Sequence, residues 1–339
     1  MSDRAVLADR LLDLLGGHRV TAALYTAVEL GMIELLAAGE RTAAEVAHEC
    51  SAHVTSSERL LTALVGLGIC RSVGDNRYRL TDMGVCLTKG ASPSLHDWAL
   101  FEGKMLSHSW MGLAESVRSG RTAAEIAGAD DGRYGQMRRD PQAASLFDAA
   151  MASMTRLVAS DLIAACDFSG DGRILDVGGG AGTLLIEILR ACPATSGSIL
   201  DLERCEAAAR QAIADAGLQS RASFLAADFL AGLPEGFDTL LLKNVLHNWD
   251  EQRCAVLLAN CRSAMGESSR IVIVERFLPS APDDCGRYAS TALGDLNMLR
   301  GPGGRERSDT AYCKLVTDAG LRVSHLVPAG RYDLLIAKR

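Results

Sequence analysis

Apolar residues change their spacing twice along this chain. Over the first hundred residues they recur every three or four positions, as in VTAALYTAVELGMIELL (Val20 to Leu36), the period of a helix buried on one face. RTAAEVAHEC opens with Thr42 three residues before Glu45, the spacing of a capping box. SSERLLTALVGLG supplies Ser56 and Ser57 as candidate caps and ends in glycine. ICRSVGDNRYRLT then alternates about GDN, which predicts two short strands joined by a tight turn. From about residue 100 to 165 the helical period returns, rich in methionine and aromatic residues, with Pro141 suited to a first helical turn and Asp140 as its cap. After Asp171 the pattern shifts to short continuous apolar runs, RILDV, GSILDL, RASFLA, DTLLLKNV and RIVIVE, each followed by a polar or helical segment.

Continuous apolar strands alternating with helices imply a mostly parallel, doubly wound sheet covered on both faces. Two further strand-like runs in LRVSHLVPAGRYDLLIAKR suit pairing at its edge. The opening order of helix, helix, helix, hairpin is that of a winged helix. Three regions are expected: a winged-helix-like domain over 1–100, a helical linker over 101–165, and an α/β domain over 166–339. Winged helices often read DNA, but the third helix here offers Arg59 as its only base-reading arginine. Subunit pairing through apolar helices is the better expectation.

Composition narrows this picture. A chain of 339 residues with 48% hydrophobic and 23% charged content is globular and long enough for two domains. A formal net charge of −7 argues against broad nucleic-acid binding, which needs Lys and Arg to neutralise phosphates. The ten cysteines are dispersed and form no CxxC pair, as for reduced thiols in a cytoplasm. HECSAH (His48 to His53) gathers two His and a Cys, but without a second ligand cluster it reads as a solvated helix end rather than a metal site. No apolar run reaches the ~20 residues of a membrane span, and the N-terminus lacks a signal-peptide core. A cytoplasmic protein without membrane or nucleic-acid partners is expected.

The candidate chemistry starts at DVGGGAG. The first strand-to-helix turn of a doubly wound sheet is the prime ligand position, and this one carries Asp176, Gly178, Gly180 and Gly182 in the pattern DxGxGxG. The dinucleotide pattern GxGxxG would need glycine at 183, which is Thr183, and no GK[ST] follows for a phosphate loop. DxGxGxG resembles the loop of class I S-adenosylmethionine-dependent methyltransferases. Asp201, ending the second strand, suits the two hydroxyls of a ribose, although NAD proteins carry such an acid too. Asp228 and Phe229 after the third strand add an acceptor and an aromatic face for adenine. The fourth strand runs into LLKNVLHNWDE, placing His247 at the ligand edge, where a near-neutral pKa suits proton removal. Glu275 ends the next strand, and Glu306 lies in GPGGRERSD. A carboxylate beside an imidazole fixes its tautomer, but Glu306 could equally cap the helix beginning near Ser308.

ILDVGGGAG, LLKNVLHNWDE, IVIVERFLP, LGDLNML and GGRERSD follow one another in the order of the caffeate and acetylserotonin O-methyltransferase family, which the chain resembles over nearly its whole length. The resemblance implies a homodimer paired through the N-terminal domain and S-adenosylmethionine as cofactor. No metal is expected, since a base activates the acceptor oxygen and no cluster of three oxygen ligands for magnesium is visible. The resemblance further implies His247 as general base flanked by Glu275 and Glu306, with Asp176, Gly178, Gly180, Asp201, Asp228, Phe229 and Lys243 at the cofactor. Trp110, Phe147, Met151, Met154, Asn297 and Met298 resemble acceptor-pocket positions. On its own, FDAAMASM reads either as a core stripe or as an apolar wall for a flat ligand. The implied reaction is methylation of a hydroxyl on a small aromatic acceptor. Other readings are N- or C-methylation, a non-methylating reaction with the same cofactor (hydroxylation, decarboxylation or pericyclic), and a winged-helix regulator that senses a small molecule. The chain departs from the family in Asn248, where Asp is usual, in Ala227, where glycine is usual, and in DLERC, where DLP is common.

Overall fold

The computed structural model describes residues 3–128, 137, 139–282 and 286–339. Two compact units emerge, one from Met1–Met111 with Gln142–Leu157, the other from Gly112–Pro141 with Val158–Arg339. The segment 101–165 is therefore divided between them rather than forming a body of its own. The 25-residue helix Pro141–Ala165 opens on Pro141 and contributes to both units. No helix among the described residues is long and apolar enough to cross a bilayer.

In the first unit the run expected as one helix from Val20 is broken. Helix Gly17–Glu29 stops and Met32–Ala37 restarts after Gly31, whose φ of +75° breaks the helical run. Ala27, Val28, Met32, Ile33 and Leu36 nevertheless share one buried cluster, so the apolar spacing survives the break. The Thr42–Glu45 capping box is present at the head of helix Ala43–Glu49. The two candidate serine caps are not caps. Helix Val54–Gly66 begins one turn earlier at His53, Ser56 bonds the His53 ring, and Ser57 is buried inside the helix. Strands β2 (Cys70–Ser72) and β3 (Arg77–Leu80) form the expected hairpin, with Asp75 and Asn76 both at positive φ as a tight turn demands. The strand β1 (Arg41–Thr42), too short to leave a periodic signal, joins β3 as a third strand.

The second unit holds a seven-stranded sheet. In chain order its strands are β4 (Arg173–Val177), β5 (Ser196–Asp201), β6 (Ala222–Ala226), β7 (Thr239–Lys243), β8 (Arg270–Glu275), β9 (Arg322–Ala329) and β10 (Tyr332–Lys338). Their spatial order is β6-β5-β4-β7-β8-β10-β9, parallel from β6 to β8, with β10 antiparallel to both neighbours. The terminal pair is present as expected, but β10 sits inside the sheet and only β9 lies at the edge. Leu175, Val177, Leu240, Leu242, Ile271 and Ile273 are essentially sealed from water, which is why these strands read as continuous apolar runs. The chain leaves β4 toward β5 on one side and returns to β7 on the other. That reversal opens a crevice beyond the carboxyl ends of the strands.

Candidate active site

Five strand ends, those of β4 to β8, deliver chemistry to that crevice. After β4, Gly178, Gly180 and Gly182 all take positive φ, which L-residues with side chains avoid. A Cβ on Gly178 would meet Val245 at 3.1 Å and the Phe229 ring at 3.5 Å, so the bare backbone lies against an aromatic edge. Gly180 faces open space, and its N–H donates to Asp201 Oδ2 at 2.8 Å. The Leu202 N–H donates to Asp201 Oδ1 at 2.7 Å. The carboxylate ending β5 is thus oriented by two backbone donors, and each oxygen keeps a lone pair for a ligand. Asp176 is buried beneath the loop, and burial first, then the charge of Asp201, push its carboxyl up to about 7. Lys243, at the end of β7, opposes that rise and lies 5.0 Å above the Tyr332 ring. Asp228 is exposed and accepts the Leu230 N–H at 2.9 Å, while Phe229 meets Trp249 edge-to-face at 6.1 Å.

Beyond β7 the chain turns through Leu246–Asn248, and His247 is buried there. Its Nδ1 lies 3.2 Å from Glu306 Oε1 and 3.5 Å from Glu275 Oε2. Residues 28 and 59 positions away thus converge on one nitrogen, and Nε2 is the ring atom left to meet another molecule. Glu275 Oε1 also accepts the backbone N–H groups of Val245, Leu246 and His247 at 2.8–3.3 Å, which fastens the turn to β8. Burial works to lower the His247 pKa, but the two carboxylates outweigh it and hold it above the ordinary value. Burial likewise pushes Glu306 up, and His247 and Arg276 together reverse this to keep it below the usual carboxylate range. Glu275 is raised, because its burial, with the charge of Glu306, outweighs the opposing pull of His247 and the backbone N–H groups.

Glu306 is not a helix cap. Ser308 caps helix Asp309–Asp318 itself, accepting the Ala311 N–H at 3.2 Å. The flanking arginines hold the Glu306 loop instead. The buried Arg307 donates to the carbonyls of Leu246 at 3.1 Å and Trp249 at 2.8 Å, on either side of His247, and Arg305 pairs with Glu251. Tyr312 lies sealed beneath, stacked on Phe277 with centroids 4.9 Å apart, and burial with the nearby Glu275 and Glu306 keeps its phenol protonated. Sequence reasoning passes over Arg276, Asp295, Arg307 and Tyr312, since nothing in their spacing says that they meet. Gly304 carries a faint signal as part of a glycine-flanked loop. A Cβ there would overlap the His247 carbonyl and lie 2.5 Å from the Asn248 carbonyl carbon and 2.7 Å from the Trp249 nitrogen. Gly304→Ala should displace the Glu306 loop and lower kcat about 10²-fold, the cost of roughly 1 Å of misplacement. An unchanged kcat would show that the loop's approach to the turn is dispensable.

The departures from the family pattern find local partners. Asn248 donates through Nδ2 to the Asn244 carbonyl at 2.8 Å, bracing a turn whose Asn244 has φ +55°, and a carboxylate could not donate that bond. Ala227 takes an ordinary backbone conformation that needs no glycine. In DLERC, Glu203–Cys205 form a short 3₁₀ turn leading into helix Glu206–Asp215.

The acceptor positions form two groups. Phe147, Met151 and Met154 share helix Pro141–Ala165, and all three are half-buried rather than sealed, with Phe147 edge-on to Phe101 at 5.8 Å. Trp110, also half-buried, ends helix Ser107–Trp110 of the same unit. Asn297 and Met298 lie on helix Arg287–Arg300 of the other unit, half-buried and buried respectively. His48 is strongly exposed at the end of its helix, consistent with a solvated role. Among the described residues, the closely spaced group with metal-ligand chemistry is His247, Glu275 and Glu306, and there Arg276 already supplies a positive charge to Glu306.

A doubly wound sheet with a glycine cradle at its switch point and a carboxylate-held imidazole beside it defines a ligand-binding enzyme of the α/β class. The chain belongs to the O-methyltransferase family: the O-methyltransferase domain matches residues 110–322 and the O-methyltransferase dimerisation domain matches residues 12–90. It is similar to the mitomycin biosynthesis 6-O-methyltransferase of Streptomyces lavendulae, 33% identical across 96% of this chain and 93% of that one. The crystal structure of human N-acetylserotonin methyltransferase in complex with SAM superposes with a TM-score of 0.89 at 28% identity, covering 98% of this chain and 97% of that one. An 8-amino-8-demethylriboflavin N,N-dimethyltransferase of Streptomyces davaonensis is 30% identical across 95% of this chain and 92% of its own.

Proposed function

We propose that this methyltransferase moves a methyl group from S-adenosylmethionine to a hydroxyl of a small aromatic acceptor, with His247 as general base. The observation that carries the reading is the imidazole pinned through Nδ1 by Glu306 at 3.2 Å, beside a glycine cradle, with Nε2 left for the acceptor's proton. The cofactor, when bound, supplies an electrophilic methyl on sulfur. Positive-φ glycines, the oriented Asp201 carboxylate and the Phe229 face suit its backbone approach, ribose and adenine respectively. His247 takes the hydroxyl proton as the oxygen becomes nucleophilic, and Glu306 and Glu275 stabilise the imidazolium that forms. Holding the acceptor oxygen in line contributes as well, a term worth about 7–11 kcal/mol in well-oriented systems. No step of this proton transfer calls on a metal.

Phe147, Met151 and Met154 give helix Pro141–Ala165 a half-buried apolar face suited to a flat aromatic acceptor. The Streptomyces davaonensis relative, an N,N-dimethyltransferase, makes N-methylation the second reading. We further propose a homodimer paired through the N-terminal domain. Helix Asp3–Leu15 leaves Leu7, Leu11, Leu12, Leu14 and Leu15 each more than half exposed, an apolar face that asks for cover. Calorimetric titration with S-adenosylhomocysteine, using NAD as control, tests the cofactor, and phenolic and anilinic acceptors assayed side by side then separate the two reactions. Tight binding of the first ligand alone, with faster turnover of phenols, is the expected result. A folded protein that ignores S-adenosylhomocysteine would sink the proposal.

A further inference from the structure

We infer that Arg276 is a positioning residue for the base: its guanidinium fixes the Glu306 carboxylate against His247 and keeps the imidazole ready to accept a proton. This rests on His247 being the base. Arg276 directly follows β8, and its Nη2 lies 3.3 Å from Glu306 Oε1, the same oxygen that meets His247 Nδ1 at 3.2 Å. One carboxylate oxygen is therefore shared between a permanent cation and the imidazole.

The surrounding backbone is built to allow this. Gly294, on helix Arg287–Arg300, has no side chain where one would strike the guanidinium: a Cβ there would overlap Nη2 and lie 3.0 Å from Cζ. Its neighbour Asp295 accepts the Glu306 N–H at 2.8 Å, and the Leu278 N–H donates to the Arg307 carbonyl at 2.9 Å. The Arg276 segment and the Glu306 loop are thus tied together, and to the helix, without any help from His247.

The charge balance explains what the pairing does. His247 faces Glu275 from β8 and Glu306 from the loop, with the protonated Tyr312 below them and Asp295 behind Glu306. Arg307 is committed to the carbonyls of Leu246, Trp249 and Arg305 and to Glu251, and Arg305 to Glu251. Two carboxylates acting alone would keep the imidazole protonated, and a protonated imidazole is no base. Arg276 opposes them, favouring the neutral ring while holding Glu306 ionised. Removing its charge makes the cluster bind its proton at higher pH.

The test is an imidazole ¹⁵N NMR titration of the full-length protein, with the His247 signal assigned by its loss in His247→Ala, alongside kcat/KM against pH. In Arg276→Gln the His247 midpoint should move to higher pH, and the acid limb of kcat/KM should follow it. Turnover at pH 7 should fall about tenfold for each pH unit the midpoint climbs and recover at alkaline pH, while KM for the acceptor holds. Arg276→Lys should restore most of the wild-type profile, and Gly294→Ala, which only displaces the guanidinium, should move the midpoint as Arg276→Gln does. An unmoved His247 midpoint in Arg276→Gln and Gly294→Ala overturns the inference. So does a raised acceptor KM with a fixed acid limb, which would make Arg276 an acceptor contact. The NMR titration needs no acceptor, so failure of wild-type methyl transfer would count against the proposed function and leave this result legible.

Discussion

His247→Ala is expected to lower kcat/KM by about 10²–10⁴-fold, the range for loss of a positioned general base, with S-adenosylhomocysteine affinity unchanged. The split follows from geometry, because His247 lies beyond β7 while the glycine cradle and Asp201 belong to the ends of β4 and β5. In the wild type the base works only when unprotonated. Since Glu275 and Glu306 hold the His247 pKa above its usual value against the opposing effect of burial, kcat/KM should climb with pH to a midpoint above the ordinary ~6.5. The climb should vanish in the variant. Turnover that survives the substitution, with its pH profile intact, would remove His247 from the role.

Gly182→Ala should damage the cradle itself. Gly182 sits at the head of helix Thr183–Ala191 with φ +76°, where an L-residue costs about 1–2 kcal/mol. A Cβ there would also overlap the tip of Ile199 and lie 2.7 Å from its Cγ1, and overpacking of this kind costs about 1–3 kcal/mol. Because Ile199 is fully buried in β5, the overlap lifts the loop rather than the strand. The expected result is a lower denaturation midpoint together with loss of S-adenosylhomocysteine binding. Adding Ile199→Val removes the clashing terminal methyl, so the double variant should be more stable than the two single effects predict. Simple additivity, or wild-type stability in Gly182→Ala, would show that close packing on β5 is not what the glycine serves.

The legible parts of this protein are those where one local rule dominates. RILDV and RIVIVE predict buried parallel strands because both their faces are covered, and Thr42 with Glu45 predicts a helix start because a capping box closes within four residues. The positions of Gly178, Asp201, Phe229, His247 and Glu275 can be read because a doubly wound sheet brings its strand ends to one edge. Where two local signals compete, the reading fails. Ser56 and Ser57 look like caps, but packing of Ser57, Leu61 and Leu64 into the core sets the helix start at His53.

Sequence by itself thus determined the layers of the fold, the glycine cradle and the place of His247 at the strand edge, since each depends on residue type at a spacing the chain carries openly. Only tertiary structure decided how that imidazole is held. Glu306 comes from a loop 59 residues beyond His247, Arg307 bolts that loop to the carbonyls on either side of the imidazole, and Arg276 reaches the same carboxylate through a gap left by Gly294. Hydrogen bonds and close ion pairs form only within about 3–4 Å, and distances of that size between remote segments exist only once the chain has folded.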